Sequence, residues 1–176
     1  CCRLIDLGTQ EGAYQGETKF QRKILLTWEL AELRADDSPF QVSRRFGLSL
    51  HEKAALRAFL EAWRGRSFST DELAGFDLRK LLNAPCLLNI THTERAGKTY
   101  ANISTVMPLP KGMSAPDLSA SPVVFDIDDP ETHTALLDLS ESLQATIEQS
   151  PEWKAHAGGE AKREPSGEDL ADDIPF

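Results

Sequence analysis

The sequence predicts a mainly β domain: a five-stranded barrel with a helical segment between strands 3 and 4, followed by a largely disordered acidic C-terminal tail. Three observations predict it. Apolar and polar residues alternate at period two before residue 50 and again after residue 84. Between those stretches the period lengthens to that of a helix. Near residue 112 both composition and charge change abruptly.

Residues 1–7 form a short expected strand, with Cys2, Leu4 and Asp6 on one face and Arg3, Ile5 and Leu7 on the other, ended by Gly8. Residues 8–18 are polar and carry Gly12 and Gly16 as breakers, so a loop is expected there. Strand 2 spans residues 20–30: Phe20, Ile24, Leu26, Trp28 and Leu30 alternate with Gln21, Lys23, Thr27 and Glu29. Residues 35–39 make the turn, and residues 40–50 alternate again as strand 3, with Phe40, Val42, Phe46, Leu48 and Leu50 opposite Gln41, Ser43, Arg45 and Ser49.

Leu56, Phe59, Leu60 and Trp63 then fall at i, i+3, i+4 and i+7, one face of a helix that Gly65 stops. Ser49 with Glu52, and Ser69 with Glu72, have the spacing of capping boxes. The second of these opens a shorter helical piece reaching Leu82, interrupted by Gly75. Strands 4 and 5 are expected at residues 85–93 and 98–107, joined by a hairpin turn at Glu94-Arg95-Ala96-Gly97. Three strands, a helical segment and two more strands is the element order of the OB-fold. An α+β sandwich shares that order and stands as the alternative.

Residues 113–176 differ from the body in chemistry. Residues 114–122 are rich in Ser, Ala and Pro, as linkers are. Asp129-Pro130-Glu131 is a helix start, and Leu136, Leu139, Leu143 and Ile147 make one apolar stripe over residues 130–149, expected to pack on its own domain. From Lys154 onward few apolar residues offset the entropy of ordering, so disorder is expected. The expected division is therefore 1–112 as the folded domain and 113–176 as linker, short helix and acidic interaction tail.

The net charge of -9 is unevenly placed. Residues 1–112 hold 16 Lys+Arg against 13 Asp+Glu, a net +3, and residues 113–176 hold 3 against 15, a net -12. A mildly basic body with a strongly acidic end points to nucleic-acid work with an interaction tail. No apolar run approaches the ~20 residues that span a bilayer, so a cytoplasmic protein without a membrane partner is expected.

Catalysis is not expected. Nothing pairs a nucleophile with a base, and Gly12 and Gly16 lack the Lys-Ser/Thr of a phosphate-binding loop. Cys1, Cys2 and Cys86 form no C-x-x-C pair and His51, His92, His133 and His156 are scattered, so no metal or cofactor is expected. Asp126, Asp128 and Asp129 are accounted for by a helix start.

The last five residues, Asp172-Asp173-Ile174-Pro175-Phe176, are similar to the C-terminal tip of bacterial single-stranded DNA-binding proteins. The resemblance implies recruitment of replication, recombination and repair enzymes. Chemically, Phe176 offers a ring and a terminal carboxylate together, suited to an apolar pocket beside an Arg or Lys. The body resembles a group of phage-encoded proteins in Gly16-Glu-Thr-Lys-Phe-Gln-Arg-Lys23, Leu48-Ser-Leu-His-Glu-Lys53, Gly75-Phe-Asp-Leu78 and Lys98-Thr-Tyr-Ala-Asn-Ile103. That group implies single-stranded DNA binding, in the cytoplasm of a bacterial host, and leaves homo-oligomerisation open.

Sequence-independent binding of a single strand needs cations for phosphates and aromatic faces for bases. In an OB-fold the surface lies on strands 2 and 3 between the loops joining strands 1 to 2 and 4 to 5. The first loop holds Tyr14, Lys19 and Phe20; strand 2 offers Arg22 and Lys23; strand 3 offers Arg44 and Arg45; the second loop and its exit strand offer Arg95, Lys98 and Tyr100. Phe20 divides evenly between base stacking and core packing, whereas Trp28, Phe46 and Trp63 belong to core faces. The competing expectation is an adaptor that mimics the host protein's tail without touching DNA.

Overall fold

A computed structural model describes residues 1–14 and 17–160. The expected acidic tip, residues 172–176, lies outside the described residues, as does most of the expected disordered stretch.

Antiparallel pairing dominates. β1 (Arg3–Tyr14) pairs with β2 (Glu17–Leu33), and β2 pairs with β3 (Pro39–Gly47). α1 (Ala55–Arg64), α2 (Thr70–Ala74) and a 3-10 turn at Leu78–Leu81 follow. β4 (Leu87–Arg95) and β5 (Lys98–Met107) form a hairpin whose two central residues, Ala96 and Gly97, both have positive φ, the geometry that matches strand twist. β6 (Val123–Phe125) then lies parallel to the start of β1. A 3-10 segment at Pro130–Asp138, α3 (Glu141–Glu148) and α4 (Pro151–Glu160) complete the described chain.

The strands form two sheets, a four-stranded one in the order β3-β2-β1-β6 and the two-stranded β4-β5. The mainly β class and the place of the helical segment match the expectation. The closed five-stranded barrel does not, because the outer edge of β1 is occupied by β6 and, among the described residues, β4 and β5 pair only with each other. Two contacts span the opening between the sheets. Asn83 N–H donates to Cys1 O at 3.0 Å while the Cys1 amine reaches Ala84 O, and Arg44 Nη1 donates to Ile103 O at 3.0 Å.

β1 also runs further than expected. Gly8 does not end it; it sits at a β-bulge, φ +66°, where the pairing with β2 shifts by one residue. Residues 9–14 and 17–22 then continue as a two-stranded ribbon beyond the last β3 pair, Lys23 with Gly47.

Side-chain alternation gives the sheet two apolar faces. Leu4, Ile24, Leu26, Trp28, Val42 and Phe46 enter the first core, which α1 closes with Leu56, Phe59, Leu60 and Trp63. Trp28 and Trp63 meet there at 5.7 Å between ring centroids. Ile5, Leu7 and Leu25 enter a second core on the opposite face, filled by Phe125, Ile127, Leu139 and Ile147. The stripe of Leu136, Leu139, Leu143 and Ile147 thus packs on this sheet, but its helix is divided into a 3-10 segment and α3. Among the described residues no helix is long and apolar enough to cross a membrane.

Candidate nucleic-acid interface

Consecutive strand residues point to opposite faces, so one sequence cluster can be split by the pleat. The run from Lys19 to Lys23 is split in this way. Lys19 and Lys23 share the face of Leu25, while Phe20 and Arg22 share the face of Ile24.

Arg22 is held by carboxylates. Its guanidinium bonds Asp6, itself buried, and reaches Asp128 at 2.8 Å. The hydrogen bond with Asp6, then that with Asp128, keeps the guanidinium more firmly protonated than usual. Arg79 extends the cluster to Asp129 at 2.6 Å and Asp126 at 3.5 Å, and Asp129 is pushed below the usual carboxylate range by the Arg79 hydrogen bond. The aspartates expected to start a helix thus also join the 3-10 segment to β2. A strand-derived phosphate would have to displace them to reach Arg22.

Arg44 is likewise occupied. Its guanidinium lies 5.0 and 5.2 Å from the ring centroids of Phe46 and Phe59, and it donates to Ile103 O. Its work is to join β3 to β5. Phe20, by contrast, is 70% exposed on the ribbon, opposite Glu11, and belongs to neither core.

The outer face of β2 and β3 brings other cations together. Lys23 lies between Gly8 and Gly47 in the sheet, and Arg45 lies opposite Leu25, which in turn faces Ile5. Arg3 stands beside Ile5 on this same face, opposite Thr27. Arg3, Lys23 and Arg45 have no ion-pair partner among the described residues. Lys19 lies four residues before Lys23, opposite Gly12. The glycines keep the face low: a Cβ at Gly12 would come within 3.4 Å of Lys23 Nζ, and one at Gly47 would strike the Gln21 side chain.

This face has two borders. On the β1 side, Ser150 packs onto Gly8, and Glu152 accepts hydrogen bonds from Thr9 N at 2.9 Å and from the Thr9 hydroxyl. On the other side, Ser119 binds both carboxylate oxygens of Glu29 at 2.9 Å. The open area between them carries Lys23, Ser43 and Arg45.

The hairpin β4-β5 presents a separate group. Register places Arg95, Lys98 and Tyr100 on one face with Thr93 and Asn102, where Asn102 Nδ2 donates to Thr93 Oγ1 at 2.9 Å. All three are exposed, Tyr100 at 48%. Tyr14 ends β1 opposite Glu17, and its side chain lies outside the described residues. The expected contacts are therefore distributed over the outer sheet face, the ribbon and the hairpin, with Arg22 and Arg44 assigned to holding the fold. Arg3 was not among the expected contacts; the alternation of strand 1, which sets it beside Ile5, was the signal for it.

The chain matches no protein-family model, no curated protein and no solved structure.

Proposed function

We propose that this protein binds single-stranded DNA without sequence specificity, protects it, and recruits replication, recombination and repair enzymes through its acidic C-terminal tip, the last by analogy with the tip of bacterial single-stranded DNA-binding proteins. The observation that carries the reading is the outer face of β1, β2 and β3, where Arg3, Lys23 and Arg45 lie on one side of a sheet without an ion-pair partner among the described residues. Phosphates of a flexible strand can settle on such a face, and the exposed rings of Phe20, on the other face of the ribbon, and Tyr100, on the separate hairpin, offer stacking surfaces away from it. The order of elements, three antiparallel strands, a helical segment and a hairpin, supports the reading as the order an OB-fold uses.

The test is a titration of fluorescein-labelled oligo(dT) of about 30 nucleotides, followed by anisotropy beside a duplex of equal length. Single-strand binding that weakens with salt, and weaker still in Lys23→Glu and Arg45→Glu, is expected. Each lost phosphate contact should flatten the log–log salt dependence by about 0.7. No binding to the single strand would reject the reading.

A further inference from the structure

A second surface, remote in character from the cationic face, lies where the two sheets part. β1 pairs with β2 only as far as Thr27, to which Cys2 N–H donates at 2.8 Å. β2 continues to Leu33, and among the described residues it has β3 on one side there and no strand on the other. Across the opening, β4 pairs with β5 along one edge and with no strand along the other. A groove of about 1520 Å³ lies between these two edges, with residues 113–122 as its wall. Strand edges with unmade backbone hydrogen bonds are templates for another strand.

Its lining states what would fit. Leu33, Phe40, Leu88, Ile90 and Met113 give it an apolar floor, and Leu33, Phe40 and Met113 are among the most exposed large apolar residues. Its acidic side chains are Glu29, Glu32, Asp37 and Asp117, and among the described residues no Lys or Arg lines it. Nucleic acid is repelled by such a rim, and so is the chain's own Asp-Asp-Ile-Pro-Phe end. The unpaired edges favour an extended backbone, the floor favours apolar side chains, and the rim favours cations.

We propose that this groove is a strand-accepting site for a partner protein's extended segment in which apolar residues alternate with Lys or Arg. The segment would run in line with β1, hydrogen-bond to β2 on one side and β4 on the other, and join the two sheets. Alternate side chains would enter the apolar floor, leaving the basic ones for Glu32, Asp37 and Asp117.

The probe is an acetylated and amidated eight-residue peptide alternating lysine with valine or leucine, titrated into the full chain. The measurements are calorimetry and backbone hydrogen exchange. Three controls accompany it: glutamate in place of lysine, N-methylation at alternate residues, and the protein variant Glu32→Lys/Asp117→Lys. The expected result is saturable binding of the lysine peptide, with slowed exchange at residues 29–33 and 87–89. Binding should fall about tenfold in the double variant and be lost on N-methylation. The proposal is overturned by absence of saturable binding, by equal binding of the glutamate peptide, or by indifference to N-methylation. Protection of the same edges that grows with protein concentration alone would assign the groove to a second copy of this chain, and would also overturn it. None of these outcomes depends on whether the outer face binds DNA.

Discussion

Lys23 and Arg22 are neighbours in sequence on opposite faces of β2, and under the proposed function their substitutions should separate stability from binding. Removing Arg22 leaves Asp6 buried without its cation, the costly half of a buried pair, so Arg22→Ala should lower unfolding free energy by about 3 kcal/mol in urea. Adding Asp6→Asn should return part of that loss. Phe20→Ala, at a 70% exposed position, should leave stability within about 0.5 kcal/mol of the parent. If Phe20 stacks on a base, the same substitution should weaken oligo(dT) binding by about 1–3 kcal/mol in the anisotropy titration. Titration gives a further handle at this scale. Glu72 is lowered to about 2 by the Arg66 hydrogen bond first, then by Ser69 N–H and Arg64. A carboxylate depressed in the folded state contributes stability that is present above its unfolded pKa and lost as pH falls through the folded one. Acid unfolding between about pH 5 and 2 should therefore be shallower in Glu72→Gln than in the parent. Burial pushes the Cys86 thiol up to about 11, so a thiol reagent at pH 8 should label it more slowly than it labels the same thiol in the unfolded chain.

At the level of elements, Gly8 carries two requirements: its φ is +66°, and a Cβ there would strike Ser150 and press on Ile127. Gly8→Ala should therefore cost more than the roughly 1 kcal/mol of a strained left-handed residue alone. It should also speed hydrogen exchange in α3 and α4 before the rest of the sheet. Equal exchange in those helices would show that they do not depend on this contact. The same glycine marks where the sequence was least informative. Read as a stop, it ended strand 1 at Leu7; in the fold it is the bulge that lets a polar, glycine-bearing stretch continue as ribbon, because backbone pairing needs no apolar pattern. β6 left no signal either: Val123-Val124-Phe125 is too short for a period and is defined by its neighbour β1. By contrast β2, β3, α1 and the β4-β5 hairpin were legible, since each has one face buried and its period records that burial. Capping was half legible. Ser69 and Glu72 form a reciprocal capping box, whereas Ser49 and Glu52 precede α1, which starts at Ala55 without a side-chain cap. For the candidate site, residue types were legible but partners were not. Nothing local in Phe20-Gln-Arg-Lys announces that the arginine meets Asp6 and Asp128, supplied from 16 residues before it and from beyond residue 120.

The four-stranded sheet has a core on each face, and the second core depends on residues far along the chain. Ile5, Leu7 and Leu25 are covered by Phe125, Ile127, Leu139 and Ile147, all of them after residue 112. A chain ending at residue 112 would keep α1 and the first core but bare the other face. Exposing Ile5, Leu7 and Leu25 alone forgoes about 1.5–3 kcal/mol each, a sum comparable to the roughly 5–15 kcal/mol that holds a domain folded. Such a chain should unfold at lower urea than the full protein, or aggregate, and should bind a dye that reports exposed apolar surface. A chain ending at residue 160 keeps both cores and should unfold with the full protein's midpoint. It should also bind oligo(dT) at least as tightly, because the residues it loses include a run of carboxylates and none of the outer-face cations. If the 112-residue chain proves as stable as the longer one, residues 123–153 are an appendage to a self-sufficient domain. If it does not, the shallow cationic face on β2 and β3 is held from behind by the first core and at its border by the second.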